Sequence, residues 1–463
     1  MNDALGNVLE SHTYDAQARA LTAEKQGGVE RVTLNYVSST ETQVTDALNH
    51  LTKYFFDKTA RRNLVTRVEG SCSCGSSQVQ TWTYDNQLDV ISMTNALNQT
   101  TSYTYDASGN RLTETDAIGT ITYTYNQFAE VLTRTDQMTG VTTNTYDATG
   151  NLLTTKDALN NTTTFTYDAR GQLLTMTNAV GKVTTLTWDT SGRLTQAKDA
   201  LNNTTIFAYD ARALLTGTTN ALNFVTTYAY DAAGRVNKIT RPDNTFITFT
   251  YDLAGRRTKV TDALNNSTSF AYDSAYRLTT LTDAALKTTS YSYDLMSNRT
   301  GTTDALAHTT NYEYDDFNRL TKTIYPPAVI GGARLQETVE YDAAGNVTKR
   351  TDTAGRITSL AYDNANRLLT VTDPALQITQ YEYNGRSNMT AVVDAISQRY
   401  TFDYDALSRV TTAMRAGLQM SFAYDAVGNR TQRTDYNNMT TNYTFDALNR
   451  LTNITYPLSL IHI

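Results

Sequence analysis

A phrase of 21 residues repeats along most of this 463-residue chain and constrains its fold more than any other feature. The phrase begins with Tyr146-Asp147 and returns in register eight times. The later copies begin at Tyr167, Trp188, Tyr209, Tyr230, Tyr251, Tyr272, Tyr293 and Tyr314. A fixed period of this length indicates an array whose units pack on their neighbours. The sequence therefore predicts a single repeat array over residues 1–457.

Each unit contains two turns of the same chemistry. In the copy that starts at Tyr146, a first turn at 147–150 (Asp-Ala-Thr-Gly) is followed by a second turn at 157–160 (Asp-Ala-Leu-Asn). The side chain of an Asp at the first position of a type I turn accepts hydrogen bonds from the turn's backbone. Gly or Asn at the fourth position adopts the left-handed conformation that this kind of hairpin connection requires. The segments between the turns are rich in Thr, Leu, Phe and Tyr and have strand length. The unit is predicted to run strand, first turn, strand, second turn.

The strand before each first turn alternates strictly. Phe165 and Tyr167 share one face of their strand, and Thr164 and Thr166 share the other. An aromatic residue occupies the position of Phe165 in most units, so equivalent rings are expected to stack into ladders across the sheet. This face is interpreted as packing surface rather than as a cofactor site.

The number of strands predicts a curled sheet. About twenty units with two strands each, at roughly 4.8 Å per strand, give a sheet about 190 Å long. Open twisted sheets of more than about ten strands curl, split or close. The predicted fold is therefore all-β: an antiparallel sheet wound as a spiral, forming part of a hollow β-shell.

Composition excludes several partners. The formal net charge is −7, spread through the turns, and no basic patch favours nucleic acid. No apolar stretch approaches the length of a membrane span, and the first residues lack a signal region. With four His and no nucleophile or metal spacing, the chain is predicted not to be an enzyme. No catalytic, cofactor-binding or metal site and no cofactor is predicted.

Two insertions interrupt the array. Residues 15–83 hold degraded units, which end in a predicted loop at 69–77, and a second loop is predicted at 325–334. Both replace second turns, so both are expected on the same edge of the array, where repeat proteins place binding determinants. Cys72 and Cys74 lie in the first loop. They are interpreted as loop residues, with a redox or metal role as the alternative, because zinc needs four ligands.

Arginine follows the first turn repeatedly. The positions are Arg193, Arg235, Arg256, Arg277, Arg319, Arg367, Arg409, Arg430 and Arg450. We expect these residues to pair with neighbouring turn Asp carboxylates on a solvated face, where each pair contributes little stability. Binding of an anionic glycan by the row is the alternative.

Both ends of the chain break the pattern. Residues 2–6 already form a second turn, so the chain is expected to be a fragment that starts in mid-repeat. Residues 458–463 (Leu-Ser-Leu-Ile-His-Ile) are apolar and unrelated to the repeat. They resemble the translation of a library adapter and are predicted to be a non-native tail, the alternative being a genuine terminal strand.

The repeat resembles a known family. The motifs WDTSGRLT at 188–195 and YDAAGRV at 230–236, with Thr-Asp-Ala-Leu at 261–264, are similar to the YD repeat of bacterial Rhs proteins. Related arrays occur in WapA-like wall-associated proteins, cocoon subunits of insecticidal toxin complexes and teneurins. The resemblance covers residues 1–457 and implies a wound sheet that encloses a carboxy-terminal toxin.

The resemblance also sets the functional prediction. It implies a structural shell segment of a secreted or cell-surface Rhs-type toxin, with the remainder of the same polypeptide (plug, core domain and toxin cargo) as partner. The family's Asp-Pro-x-Gly self-cleavage motif is absent, since Asp373-Pro374-Ala375-Leu376 is a turn variant. The alternative function is a carbohydrate-binding adhesive module, whose Tyr, Trp and Asn side chains would contact cell-surface glycans.

Overall fold

A computed structural model describes residues 2–6, 8–58, 62–71, 77–329 and 331–457, except the side chains at 71 and 77. Cys72, Cys74 and the tail at 458–463 lie outside the described residues. Within these ranges the structure is strands and turns, with one short 3-10 helix at Gln26–Gly28. The prediction of an all-β fold is confirmed.

Forty-two strands are present in the described ranges. The first half of the array contains β1 (Ser11–Tyr14), β2 (Ala20–Lys25), β3 (Val29–Tyr36), β4 (Glu41–Thr45), β5 (Leu51–Asp57), β6 (Leu64–Ser71), β7 (Ser77–Tyr84), β8 (Val90–Thr94), β9 (Thr100–Tyr105), β10 (Arg111–Thr115), β11 (Thr120–Tyr125), β12 (Val131–Thr135), β13 (Val141–Tyr146), β14 (Leu152–Lys156), β15 (Thr162–Tyr167), β16 (Leu173–Thr177), β17 (Val183–Trp188), β18 (Leu194–Lys198), β19 (Thr204–Tyr209), β20 (Leu215–Thr219) and β21 (Val225–Tyr230). The second half contains β22 (Val236–Thr240), β23 (Phe246–Tyr251), β24 (Arg257–Thr261), β25 (Ser267–Tyr272), β26 (Leu278–Thr282), β27 (Thr288–Tyr293), β28 (Arg299–Thr303), β29 (Thr309–Tyr314), β30 (Leu320–Ile324), β31 (Gln336–Tyr341), β32 (Val347–Thr351), β33 (Ile357–Tyr362), β34 (Leu368–Thr372), β35 (Ile378–Tyr383), β36 (Met389–Val393), β37 (Arg399–Tyr404), β38 (Val410–Arg415), β39 (Leu418–Tyr424), β40 (Arg430–Thr434), β41 (Thr440–Phe445) and β42 (Leu451–Thr455).

Strands pair with their neighbours in sequence, and the pairs are antiparallel. Thr145 on β13 lies opposite Thr154 on β14, and Thr154 lies opposite Thr164 on β15. The hairpins of the regular units are closed by turns of the predicted type. The unit therefore runs strand, first turn, strand, second turn, and the strands form one antiparallel sheet.

The turns have the geometry that the sequence predicts. Gly150 has φ 87° and Asn160 has φ 66°, both in the left-handed region. The N–H of Gly150 donates to the Asp147 carbonyl at 3.2 Å, and the N–H of Asn151 donates to Asp147 Oδ1 at 2.9 Å. Where glycine is missing from a first turn, another residue takes the same conformation, as Ser297 does with φ 65°. The side-chain cap and left-handed fourth residue are thus confirmed.

A β-bulge beside the first turn was not predicted. The register of β13 and β14 shifts between Thr145 and Tyr146, whereas β14 and β15 pair without a shift. The same shift occurs at Tyr167, Trp188 and other equivalent positions. A bulge bends its strand and increases the local right-handed twist. Bulges at one kind of turn therefore bend successive hairpins in the same sense.

The aromatic face differs from the prediction in one respect. Phe165 and Tyr167 are half-buried and Thr164 is exposed, as the alternation predicts. However, Phe165 lies opposite Met176 on β16, so a strand separates the rings of successive units. The prediction of a direct cross-strand aromatic ladder is wrong, because each unit contributes two strands and only one of them has the ring.

The described chain divides into two compact units, and little of either is fully buried. Unit 1 comprises residues 1–101, 229–366 and 372–376, and unit 2 comprises 102–228, 367–371 and 377–463. Among the described residues, the buried hydrophobic side chains are Val29, Ala275, Ala391 and Ala413. The fold is therefore stabilised mainly by strand pairing, turn hydrogen bonds and half-buried contacts.

The two insertions differ in structure. Residues 69–71 and residue 77, predicted as loop, extend β6 and β7, where Ser71 lies opposite Ser77. The second insertion lies between β30 and β31, and its described residues contain no strand. It is closed by the N–H of Tyr325, which donates to the Leu335 carbonyl at 2.9 Å.

Candidate functional site: the turn edges of the sheet

The first turns carry a repeated polar network that links each unit to the next. Arg256 Nε donates to Asp252 Oδ2 of its own turn at 2.7 Å. Its Nη1 donates to the Asp273 carbonyl of the next first turn at 2.8 Å, and its guanidinium lies 5.2 Å from the ring centroid of Tyr272. Charge-assisted hydrogen bonds and cation–π contacts both favour Arg at this position. We call this arrangement the arginine clasp.

The clasp recurs along the array. It is formed in the same way by Arg193, Arg235, Arg277, Arg319 and Arg409. Pairing with turn carboxylates is thus confirmed for the clasp arginines and for Arg450, whereas Arg430 lies over the rings of Phe422 and Tyr443. The predicted solvated face is wrong for the clasps, because their arginine side chains are only 14% to 33% exposed. The carboxylate belongs to the same turn, whereas the neighbouring turn supplies a carbonyl oxygen and a ring.

Tyrosine hydroxyls add a second link between units. Tyr293 O–H donates to the Leu278 carbonyl at 2.8 Å, and Tyr251 O–H donates to the Val236 carbonyl at 2.7 Å. Partial burial raises the pKa of the Tyr293 hydroxyl. The recurrent Tyr-Asp pair therefore places a hydroxyl, a carboxylate and often a guanidinium together at the first turns of the regular units.

The turn carboxylates are held in their ionised form. The N–H of Arg193 donates to Asp189, which lowers the pKa of that carboxyl although partial burial opposes the shift. Burial raises the pKa of the Asp252 carboxyl, but the Arg256 guanidinium and N–H outweigh it and leave that pKa below its ordinary value. These carboxylates accept turn hydrogen bonds, so their environment is explained by the turn rather than by catalysis.

In unit 1, turns far apart in sequence meet. The Tyr276 hydroxyl donates to Asp3, 273 residues earlier. Ser297 Oγ donates to Glu30 Oε1 at 2.8 Å, and the N–H of Glu30 donates to the Leu295 carbonyl at 2.7 Å. In each case a first turn late in the chain lies against a second-turn loop early in the chain. The sheet of unit 1 therefore winds until one of its edges packs on the other.

His50 strengthens the same edge contact. Its Nδ1 lies 2.9 Å from Asp46 Oδ2 of its own second turn, and its Nε2 lies 3.3 Å from Asp316 Oδ1 of a first turn. Gly70 lies nearby on this edge, and a Cβ there would be 2.9 Å from Phe317 Cε1. A histidine between two carboxylates and a glycine against a ring therefore fix the approach of the two edges.

Unit 2 repeats this arrangement with an ion pair. Arg386 in a first turn donates from Nε to Asp136 Oδ2 at 2.7 Å and from Nη2 to Asp136 Oδ1 at 3.1 Å, across 250 residues. A Cβ at Gly140 would overlap Arg386 Nη2, so the glycine leaves room for the guanidinium. Second turns early in unit 2 thus pack on first turns late in the same unit.

Clefts between the turns are open. One of about 620 Å³ is lined by Asp147, Phe165, Tyr167 and Arg170, and one of about 750 Å³ by Leu306, Pro327 and Arg334 of the inserted loop. The Arg334 guanidinium donates to four oxygen atoms, including Asn311 Oδ1 at 2.7 Å, so its donors serve the loop. In the described ranges no group of three or more His, Cys, Asp and Glu is placed to hold a metal.

Comparison with known proteins identifies the family to which this repeat belongs. The RHS Repeat family matches residues 84–121, 146–183, 167–204, 188–223, 209–245, 251–285, 341–376 and 424–459, together more than half of the chain. The chain belongs to the RHS-repeat family. No curated protein matches the sequence.

Solved structures show the same fold. A crystal structure of TcdB2-TccC3 matches with a TM-score of 0.66 and 16% identity, over 96% of this chain and 29% of that one. The pore structure of the Photorhabdus luminescens Tc holotoxin matches with a TM-score of 0.67 and 15% identity, over 96% of this chain and 28% of that one. This RHS-repeat chain therefore spans less than a third of the solved chains it matches. Within the described ranges, no helix is long and apolar enough to cross a membrane.

The arginine row and the second inserted loop of this RHS-repeat chain both lie at turn edges of the sheet. Most of the arginine row lies in the clasps, and the loop at 325–334 lies on the second-turn edge. The contacts of Tyr276, His50 and Arg386 across the edges were not predicted.

Proposed function

We propose that this chain is a wall segment of a secreted bacterial toxin shell, and that the rest of its own polypeptide supplies the plug and the enclosed cargo. The packing of one turn edge on the other within each unit is the observation that carries the proposal. Such a sheet is held together by strand pairing, edge contacts and clasps, although few of its described side chains are fully buried. Family membership and the fold shared with Tc toxin structures support this role.

The wall itself is inert in this proposal. Its carboxylates, arginines and tyrosines repeat with the turns and engage their neighbours, as in the pairing of Arg256 with Asp252. A catalytic group needs a singular environment, which a repeated position does not provide. Activity then belongs to the cargo, and no cofactor or nucleic acid takes part.

Two measurements test the wall function. Cells that express this chain alone are expected to grow as cells without it do, and growth arrest would contradict an inert wall. In the longer natural polypeptide, segments outside the array are expected to resist added protease. Replacing both Arg386 and Asp136 by Ala is expected to make them sensitive, whereas replacing Arg399, whose pair with Glu382 is half-exposed, is not. Equal sensitivity in all forms would overturn the proposal.

A carbohydrate-binding adhesive surface is the second candidate. The aromatic face of the regular units, for example Phe165 and Tyr167 on one face of β15, supports it, because sugars stack on aromatic rings. A glycan array probed with the purified chain tests this function. Binding that is lost on Phe165→Ala would favour it over the wall, and absence of binding would leave the wall as the better proposal.

A further inference from the structure

Two kinds of side chain join neighbouring first turns, and both stand at the position that directly follows a turn. In the clasps this residue is Arg, and Arg193 donates to Asp189 Oδ2 at 2.7 Å and to the Asp210 carbonyl of the next turn at 3.3 Å. In other units it is Asn, whose Nδ2 donates to the fourth residue of the next turn at 2.6 to 3.0 Å. The pairs are Asn298 with Asn318, Asn346 with Asn366, Asn388 with Ser408 and Asn429 with Asn449. Either side chain therefore spans the gap between two turns.

Neither connection is present between the described first turns at 147–150 and 168–171. Asn151 follows the earlier turn, but its Nδ2 donates back to Asp147 Oδ2 at 2.9 Å and to Thr149 Oγ1 at 2.8 Å. The fourth residue of the next turn is Gly171, which has no side chain to accept a bond. The cleft of about 620 Å³ lies at this junction. Its position therefore follows from the missing connection.

The partners of a clasp arginine are nevertheless present at this cleft. Around Arg193 they are a turn carboxylate, the next turn carbonyl and a tyrosine ring whose centroid lies 5.2 Å from the guanidinium. The residues at the same repeat positions here are Asp147, Asp168 and Tyr167, and all three line the cleft. The Asp168 carbonyl accepts the N–H of Gly171 at 3.0 Å, and within the described ranges no side chain donates to it. The cleft thus has the partners of a clasp without its arginine.

Tyr167 also differs from its counterparts in neighbouring units. The hydroxyl of Tyr146 donates to the Val131 carbonyl at 3.0 Å, and the hydroxyl of Tyr209 donates to the Leu194 carbonyl at 2.9 Å. In the part of the chain that the structure describes, the Tyr167 hydroxyl makes no such bond. It is therefore available as a further polar contact for a ligand in the cleft.

The charge of the cleft favours a cation. Its charged lining residues are two carboxylates, Asp147 and Asp168, and one guanidinium, Arg170, so their formal charges sum to −1. Arg170 Nη1 donates to the Thr190 carbonyl of the following turn at 2.7 Å. Hydrogen bonds from Asn151 lower the pKa of the Asp147 carboxyl, which is therefore ionised at neutral pH.

We propose that the cleft between the turns at 147–150 and 168–171 binds an alkylguanidinium ion. The guanidinium donates to the Asp168 carbonyl and lies over the Tyr167 ring, in the field of the Asp147 carboxylate. Its alkyl chain packs on Leu153 and Phe165, which also line the cleft. A planar guanidinium suits these partners better than an ammonium, because it donates in several fixed directions and stacks on rings. The site does not depend on the wall function, since it needs only two neighbouring turns.

Binding of small ligands to the full chain tests the proposal. The probes are N-acetylarginine methylamide, which represents an arginine of a polypeptide, and agmatine, which represents a free alkylguanidinium. Ligand-observed NMR titrations give their Kd values, and the tighter probe shows which source the site favours. N-acetylcitrulline methylamide is the matched control, because its urea group has the same shape and no charge. It is expected to bind at least about tenfold more weakly than the arginine compound.

Two variants restore the connection and close the cleft. Gly171→Asn places an acceptor opposite Asn151, as in the pair of Asn298 with Asn318, and Asn tolerates the φ of 78° at this position. Asn151→Arg supplies the guanidinium from the chain itself and is expected to raise the urea midpoint. Both variants are expected to lose ligand binding. Gly345→Asn is the control, since Gly345 has φ 91° and open space around it, and this variant is expected to bind as the parent does.

Three outcomes would overturn the inference. The unsubstituted chain could bind neither guanidinium probe. The citrulline compound could bind as tightly as the arginine compound, which would remove the role of the charge. Binding could also persist in a Gly171→Asn chain whose circular dichroism and urea midpoint show that it is folded, which would place the ligand elsewhere. None of these outcomes alters the growth and protease tests of the wall function.

Discussion

Arg386 donates two hydrogen bonds to the Asp136 carboxylate, and the two residues lie 250 positions apart in the chain. Each side chain is only 13% exposed. The pair joins a first turn to a second turn within unit 2, and it has no counterpart in the local repeat. An interaction of such sequence separation exists only if the sheet winds through a defined angle between the two turns.

We expect Arg386→Ala to lower the free energy of unfolding by about 2–3 kcal/mol, because it leaves a largely buried carboxylate without its partner. The matched control is Arg399→Ala, which removes a half-exposed pair with Glu382 and is expected to cost about 0.5 kcal/mol. Urea titrations measure both changes. Equal costs would show that the edge contact contributes no more than a surface pair.

The arginine clasp predicts a difference between two arginines that form the same local ion pair. Arg256 binds Asp252, the Asp273 carbonyl and the Tyr272 ring, whereas Arg356 binds Asp352 and is 69% exposed. Arg256→Gln is expected to cost about 1–2 kcal/mol more than Arg356→Gln. Urea unfolding of both variants tests this prediction. Indistinguishable midpoints would show that the clasp adds no stability beyond that of the local ion pair.

The left-handed turn residues predict the effect of branched substitutions. Gly150→Val and Gly192→Val are each expected to cost about 1 kcal/mol or more, since a β-branched residue adopts positive φ poorly. Asp147→Ala is expected to cost less. Gly217 on β20 is the control, because its φ is not positive and a methyl group there would meet its nearest neighbour, the Thr226 carbonyl oxygen, at an ordinary 3.7 Å. Gly217→Ala should therefore be near neutral, and thermal unfolding that ranks it with the turn variants would contradict this assignment.

The turn carboxylates predict acid sensitivity. The pKa values of Asp147, Asp189 and Asp231 are lowered by hydrogen bonds from their own turns. Below about pH 4 the unfolded chain binds protons that the folded chain does not, so stability is present above the unfolded pKa and falls as pH decreases. Urea midpoints between pH 7 and pH 3 should decline accordingly. Asp147→Asn should reduce the slope, and a flat profile would contradict the lowered pKa values.

The sequence predicted the parts of the fold that one unit determines locally. Asp147 and Gly150 specify a turn within four residues, and the alternation from Thr164 to Tyr167 specifies a strand and its faces. These features need no distant partner, so the 21-residue period was enough to predict the hairpins and the all-β class. The pairing of turn Asp with Arg was also accessible, because Arg256 follows Asp252 by four residues.

Only the tertiary structure decided which turns meet. The contacts of Tyr276 with Asp3, His50 with Asp316 and Arg386 with Asp136 depend on how far the sheet turns per hairpin. That angle is the sum of small twists and of the bulges at residues such as Tyr146, accumulated over many strands. A periodic sequence implies that successive hairpins add similar rotations, but it does not determine the size of each rotation. The meeting of the two edges therefore follows from the folded sheet and not from the repeat.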